Sequence, residues 1–382
     1  MKAIAYRRAG IACDRMNKGA SITDKVGPNP HPFISVLMPV HNSARFLRQA
    51  IESVLAETYS NFEFLLYDDM SADDSSKMMA EYADRDPRIR IYQGRQKAPS
   101  IPFILKLLVR ESKGEYFTIH DSDDISLPDR LQCLVNKAVK NPSASIVFGW
   151  HRMVDEKCAN TLQIFGEPIW PFKYFLDGFV HAGASLISKK YYGLTEGFNE
   201  GIRWSADRDL YFKMLERAPF SHIGKVIYIY RRHMGSWTFK RPNDYDALSI
   251  VREEAVKRNI PIVQGYLEKG RATLTYNEYV ALNYEMASLA MEVLGEYRNS
   301  VAAFEGLAKR LGIGYRSFQS LRHDIPLAEV RNIDELRHLI RDQIEQVRSR
   351  QARSLSQIYY HTRGTLFRKA KRILSMLRNQ DE

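Results

Sequence analysis

The residues best able to do chemistry in this 382-residue chain are carboxylates gathered at two places. Asp68 and Asp69 follow the apolar run at 62–67, and His120-Asp121-Ser122-Asp123-Asp124 ends the run at 116–120. Neighbouring carboxylates repel one another and lose hydration when packed, so a fold that concentrates them gains from a cation. Hard divalent ions such as Mg2+ or Mn2+ prefer oxygen ligands and commonly bridge to substrate phosphates. In an extended Asp-X-Asp, alternate side chains point the same way, so Asp121 and Asp123 can face one ion. Solvated turn acids capping the next helix are the plainer alternative. The position directly after an apolar strand leaves both open.

The elements that must hold these acids alternate in type. Residues 33–38 are an apolar run of buried-strand length ending at Pro39, and Asn42 or Ser43 offers a helix cap. Phe46, Leu47, Ala50, Ile51, Val54 and Leu55 then form one face at 3.6 residues per turn. Strands are expected at 62–67, 89–92, 116–120 and 144–148, with helices at 73–83, 101–110 and 130–139. That alternation predicts a mostly parallel sheet covered on both faces, with ligands bound beyond the carboxyl ends of its strands. After residue 250 the pattern turns helical: 279–293 is one apolar helix, and Val301, Phe304, Leu307 and Leu311 form a second apolar face. One such pair is not a repeat array, so it reads as a helical subdomain packed on the body.

Composition is that of a folded protein, 45% hydrophobic and 26% charged. The net charge of +11 sits on the ends. Residues 1–29 hold six basic and two acidic side chains, residues 350–382 hold eight and two, and the middle is nearly neutral. A nucleic-acid binder spreads its basic footprint over the folded body, so no nucleic acid is expected as partner. Cys13, Cys133 and Cys158 make neither a disulfide framework nor a zinc signature, which fits a reducing compartment. No apolar run approaches the roughly 20 residues of a membrane span, and the start lacks the apolar stretch of a secretory signal. The chain is expected to be cytoplasmic.

Six blocks in order resemble the family 2 glycosyltransferases. Ile34-Ser35-Val36-Leu37-Met38-Pro39-Val40-His41-Asn42 is similar to the opening strand; Glu52-Ser53-Val54-Leu55 with Thr58-Tyr59 and Phe62-Glu63 to the next helix and strand. Asp68-Asp69-Met70-Ser71-Ala72-Asp73-Asp74-Ser75 resembles the nucleotide loop, and Lys113-Gly114-Glu115-Tyr116 leads into Asp-Ser-Asp-Asp and Pro128-X-Arg130-Leu131. Gly197-Phe198-Asn199-Glu200 precedes Ala206-Asp207-Arg208-Asp209-Leu210, and Tyr230-Arg231-Arg232-His233-Met234-Gly235-Ser236 closes the series. The likeness covers 33–236 and omits 1–30 and 250–382.

The resemblance implies an α/β GT-A fold, a Rossmann-like, mostly parallel mixed sheet with flanking helices, followed by an α-helical C-terminal extension. The expected divisions are an N-terminal extension at 1–32, the GT-A domain at 33–249, a helical subdomain at 250–349 and a basic tail at 350–382. It implies transfer, with inversion, of a sugar from a nucleoside diphosphate, expected to be UDP, to a saccharide or lipid-linked acceptor. Asp207 would be the base that takes the acceptor proton; its alternative role is a helix N-terminal acid favoured by the dipole. Pro39, His41, Asp69 and Asp121 would hold the nucleotide, and Asp123, Asp124 and His233 the Mn2+ or Mg2+. Arg231 and His233 would sit at the diphosphate, where charge-assisted hydrogen bonds hold oxyanions; an ion pair and an interior histidine are the alternatives. Trp204 would stack on a sugar or serve as core, and Asp209 would support the acceptor side or cap the helix.

Four departures bear on which sugar is carried. Met70 replaces a usual Gly, Ala206 a usual Glu, residues 97–102 lack Asn-X-Gly, and Lys106 stands where Asn is common. They keep open a nucleotide- or partner-binding domain without catalysis, and a nucleotidyltransferase is a further alternative, although no Gly-rich triphosphate loop is evident. Residues 350–378 carry eight Lys or Arg and no acid, with an apolar stripe from Leu355 to Leu377. That pattern suits a helix lying on an anionic membrane surface. Its alternatives are packing on the protein itself or pairing in a homo-oligomer. With the first, the enzyme would sit on the inner face of the cell membrane and serve polysaccharide synthesis in the cell envelope.

Overall fold

A computed structural model describes residues 29–169, 171–176, 178–202, 204–236, 244–269, 275–294, 332–338 and 341–342. Most of the N-terminal extension, the apolar face at 301–311 and the whole basic tail lie outside these residues. The first half alternates as its pattern predicts: β1 (Ile34–Val40), α1 (Ala44–Leu55), β2 (Phe62–Asp68), α2 (Ser75–Ala83), β3 (Ile89–Gln93), α3 (Ile101–Glu111) and β4 (Tyr116–Ile119). Next come β5 (Ile125–Ser126), α4 (Arg130–Lys140), β6 (Ile146–Val154), β7 (Thr161–Phe165) and α5 (Pro171–Leu176). A 3-10 turn at Ala182–Ala184 leads to β8 (Ser185–Ser188), α6 (Lys189–Tyr192), α7 (Ala206–Arg217) and β9 (Phe220–Arg231). The extension supplies α8 (Asp244–Lys269) and α9 (Tyr276–Leu294).

Among the described residues one sheet runs β3-β2-β1-β4-β8-β6-β9-β5, with β7 added alongside β6. The β3-β2-β1-β4 half is parallel, as expected from its helical crossovers. Beyond β4 the pairing becomes antiparallel except for β6 with β9, and β6 turns straight into β7 without a crossover helix. Strand β1 is buried on both faces and therefore reads as a continuous apolar run. Its side chains alternate: Leu37 joins a core shared with α3, α7, α8 and α9, while Ile34, Val36, Met38 and Val40 face α1, α2 and α4. The first of these cores reaches Val251, Tyr284 and Leu336, so the helical extension packs on the sheet.

Helix starts follow local chemistry. The Ser100 hydroxyl accepts from the Phe103 N–H and Pro102 occupies the first turn of α3, the N-terminal arrangement a helix favours. Helix α2 begins at Ser75 and not at Asp73, because the Asp73 carboxylate accepts from the N–H groups of Ser75 and Ala44.

Beneath the carboxyl ends of the strands lies a fully buried ion pair, Glu57 with Arg130, Nε to Oε1 at 2.8 Å. Arg130 Nη1 also donates to Thr118 Oγ1 on β4 and to the Gly183 carbonyl, at 3.1 and 2.8 Å. The other oxygen of Glu57 accepts from the Leu131 N–H at 2.8 Å. Breaking such a pair strands a charge, at a cost of about 3–5 kcal/mol, whereas apolar replacement of both partners is often neutral or better. Arg130→Met should therefore lower stability by about 3–5 kcal/mol in urea unfolding, and Glu57→Leu with Arg130→Met should recover much of it.

Candidate active site

The carboxyl ends of β2, β1 and β4 lie side by side, and the loops leaving them meet. The Asp69 N–H donates to the Val40 carbonyl and the His120 N–H to the Leu37 carbonyl, both at 2.8 Å. Exposed His41, just beyond Pro39 and Val40, has Nδ1 2.8 Å from the Asp69 carbonyl and Nε2 2.8 Å from Lys97 Nζ. The Asp69 carboxylate is buried and accepts from the Ala98 N–H at 2.6 Å. Thus Pro39, His41 and Asp69 share one side of the site, with a cavity of about 270 Å³ behind the 94–99 loop lined by Tyr67, Tyr92 and Phe103.

The second acid cluster is strongly polarised. Burial, and then the charges of Asp123 and Asp207, push the Asp121 carboxyl up to about 7. Asp124 is raised well above the usual carboxylate range by burial and by Asp123 and Asp121. Its Oδ1 accepts from the Arg231 N–H at 2.8 Å, and its Oδ2, which makes no hydrogen bond, lies 3.9 Å from His181 Nε2. Burial holds His181 well below the ordinary histidine value, helped by His151 and His120.

Two arrangements could hold a divalent cation. Asp121, Asp124 and His181 offer ligand atoms within 4.8 Å of one another. However, His181 Nδ1 accepts from the Gly183 N–H at 3.1 Å, so the neutral ring carries its proton on Nε2, the atom a metal would need. This set fits a cation poorly. Asp123 Oδ2 and His233 Nε2 lie 2.9 Å apart on the more open side. As they stand they are hydrogen-bonded, Nε2 donating to the carboxylate. With that proton moved to Nδ1 the pair could hold Mn2+ or Mg2+, since adjacent ligands of an octahedral ion bound at about 2.1 Å are themselves about 3 Å apart. The expected Asp123, Asp124 and His233 are not drawn into one grouping, because the Arg231 backbone turns Asp124 inward.

Arg231 differs from its expected place as well. Its guanidinium is buried, stacks 4.6 Å from the Phe46 ring centre and donates to Gln49 Oε1 at 2.5 Å. It clamps β9 to α1 and does not present an open face to a diphosphate. His233 packs on the other partner of that stack, 4.6 Å from Phe46.

Asp207 and Asp209 occupy the first turn of α7. Asp207 is partly exposed and its charge is felt at Asp121, which brings the helix to the acid cluster. Asp209 is buried and pairs with Lys213 Nζ at 2.7 Å, away from the cluster. Half-buried Trp204 precedes Ser205, which enters the helix with a left-handed φ of 59°.

With this geometry in hand, residues 35–193 match the glycosyl transferase family 2. Residues 35–193 form a family 2 glycosyltransferase domain. Chondroitin synthase of Escherichia coli is 29% identical over 197 residues, 52% of this chain and 28% of that protein. Glycosyltransferase GlyG of Streptococcus pneumoniae serotype 4 is 27% identical over 219 residues, 53% of this chain and 72% of that one. Hyaluronan synthase of Pasteurella multocida is 24% identical over 200 residues, covering 52% and 20%. The chain spans 28%, 37% and 37% of the first three curated relatives it matches. Residues 1–349 of TarS from S. aureus, solved also with UDP and with UDP-GlcNAc, superpose with a TM-score of 0.50 at 14% identity, over 82% of this chain and 89% of that one. That likeness establishes the GT-A fold.

Two residues at the site, His181 and Tyr228, carry no motif in the sequence. Tyr228 OH accepts from the Asp121 N–H at 3.2 Å, and Gly183 leaves room for its ring, since a Cβ there would lie 2.1 Å from it. The signal in sequence was His181-Ala182-Gly183 ahead of an apolar run, too short to show a period. Met70 keeps the left-handed conformation its usual Gly would adopt, with φ 59°, and is 46% exposed. An L-residue there costs about 1–2 kcal/mol, against about 0.5–1 kcal/mol of extra unfolded-state entropy for Gly. Met70→Gly should raise stability by up to about 1 kcal/mol in urea unfolding, and Met70→Val should lower it.

Proposed function

We propose that the chain is an inverting glycosyltransferase carrying a sugar from a UDP-linked donor to a hydroxyl of a saccharide or lipid-linked acceptor, in the building of a cell-surface polysaccharide. The observation that carries this reading is the meeting of the α7 N-terminus, with Asp207, and the carboxylate loop after β4. The acceptor oxygen attacks the anomeric carbon, its proton passes to Asp207, and the bond to the diphosphate breaks with its electron pair on the phosphate oxygen. Attack opposite the leaving group inverts the centre. Asp207 suits the base because its carboxylate is partly exposed and must be ionised to take a proton.

Asp69, His41 and Pro39 would hold the nucleotide. Asp121, raised to about 7 by burial and then by the charges of Asp123 and Asp207, can donate as well as accept a hydrogen bond when protonated. Asp123 and His233 would hold Mn2+ or Mg2+, which when bound supplies positive charge to the departing diphosphate. The UDP and UDP-GlcNAc complexes of TarS, and relatives named chondroitin and hyaluronan synthases, support the choice of UDP donor and polysaccharide product.

Release of nucleoside diphosphate from UDP-GlcNAc and other nucleotide sugars with Mn2+ tests the reading. Asp207→Asn should lower kcat by about 10²–10⁴-fold while UDP binding persists, and Asp123→Asn should abolish the Mn2+ requirement along with most turnover. Tight UDP binding with no turnover of any donor would make the domain a binding module. No described helix is long and apolar enough to cross a membrane. The basic stripe at 350–378 is proposed to rest on an anionic membrane surface, close to a lipid-linked acceptor. The full chain should co-sediment with phosphatidylserine vesicles at low salt, and a chain ending at Arg348 should not.

A further inference from the structure

We infer that Arg258, on α8, is a positioning residue for Asp207, acting through Asp209 and Glu216; the inference rests on the reading of Asp207 as the base. Arg258 Nη2 donates to Glu216 Oε1 at 3.0 Å, and Nη1 lies 3.8 Å from Asp209 Oδ1. Asp209, 1% exposed, takes its second cation from Lys213 at 2.7 Å, and Lys213 Nζ donates in turn to the Gly197 carbonyl at 3.4 Å. Two acids and two bases therefore balance in the seam between α7 and α8. From α9, Tyr284 OH adds a bond to the Phe212 carbonyl at 3.4 Å.

The spacing along α7 makes this seam a rotational stop. At about 100° per residue, Asp209, Lys213 and Glu216 fall within about 60° of one another, while Asp207 lies about 120–180° away from them. One face of the helix is thus gripped by the extension and the opposite face carries the base toward Asp121. A carboxylate about 6 Å from the helix axis moves about 2 Å for a 20° rotation. A misplacement of about 1 Å at a reacting group can cost about a hundredfold in rate. The Arg258 fork reaches Asp209 in the first turn of the helix and Glu216 in the last, so it resists both rotation and tilt. Lysine, with a single point charge, can neutralise the seam but cannot hold both acids.

The test compares full-length wild type with Arg258→Lys and Arg258→Met, using UDP-GlcNAc and the other nucleotide sugars as donors and UDP as binding probe. Arg258→Lys is expected to keep the wild-type UDP Kd and one site per chain, with donor KM within about twofold and kcat about tenfold lower. Arg258→Met should lose about a hundredfold in kcat. Wild-type kcat in Arg258→Lys overturns the inference, as does a kcat loss matched by loss of UDP-binding sites, which marks unfolding and not misplacement. A wild-type chain that turns over no donor overturns the reading of Asp207, and the inference with it, a result seen before any Arg258 variant is assayed.

Discussion

The Glu57–Arg130 pair is the constraint on which the rest of the site depends. It lies where the end of α1, the loop before α4, strand β4 and the turn before β8 converge, and it is wholly out of water. A charge there is tolerated only if every neighbour keeps its place, since a low-dielectric surrounding makes any lost partner expensive. Its guanidinium carbon also lies 5.7 Å from the centre of the Tyr228 ring, whose hydroxyl takes the Asp121 N–H. One buried ion pair thereby fixes both the floor of the acid loop and the strand that crosses beneath it.

Above that floor the carboxylates divide by environment. Asp124 faces inward and is held by the β9 backbone; Asp123 faces outward beside His233; Asp121 is raised by burial and then by the charges of Asp123 and Asp207. The histidines divide likewise. His181 is neutral and committed to the turn it caps, while His233 bonds to Asp123 on the more open side. Arg231 belongs with the scaffold, tying α1 to β9 through Gln49 and Phe46.

The parallel half of the fold was legible because its strands are buried on both faces and its helices carry clean apolar stripes. Strand β9 was not, because its first seven residues, half-buried His222 and exposed Lys225 among them, hold no buried position, and only Ile227, Tyr228 and Arg231 are buried. The acids themselves were legible as a cluster at strand ends, but not their directions: which carboxylate points inward depends on the Arg231 N–H, contributed from 107 residues away. For the same reason Arg231 and Asp209 read as site residues by position, although long-range partners draw both into the interior. Arg258 carried no local signal, since its partners lie on a helix 42 residues earlier.

Strand β5 has only two residues, and its one neighbour on the sheet is β9, pairing Ile125 with Ile229 and Ser126 with Tyr228. The loop bearing Asp121, Asp123 and Asp124 is therefore anchored at its far end by a segment made about a hundred residues later. During synthesis the parallel half, with its local crossovers, can collapse as soon as β4 emerges, yet the far end of the acid loop stays untethered until β9 arrives. Assembly of the site thus waits for β9 and the helices that follow it, and a ribosome-bound chain stopped before residue 220 would hold the carboxylates without the strand that anchors them.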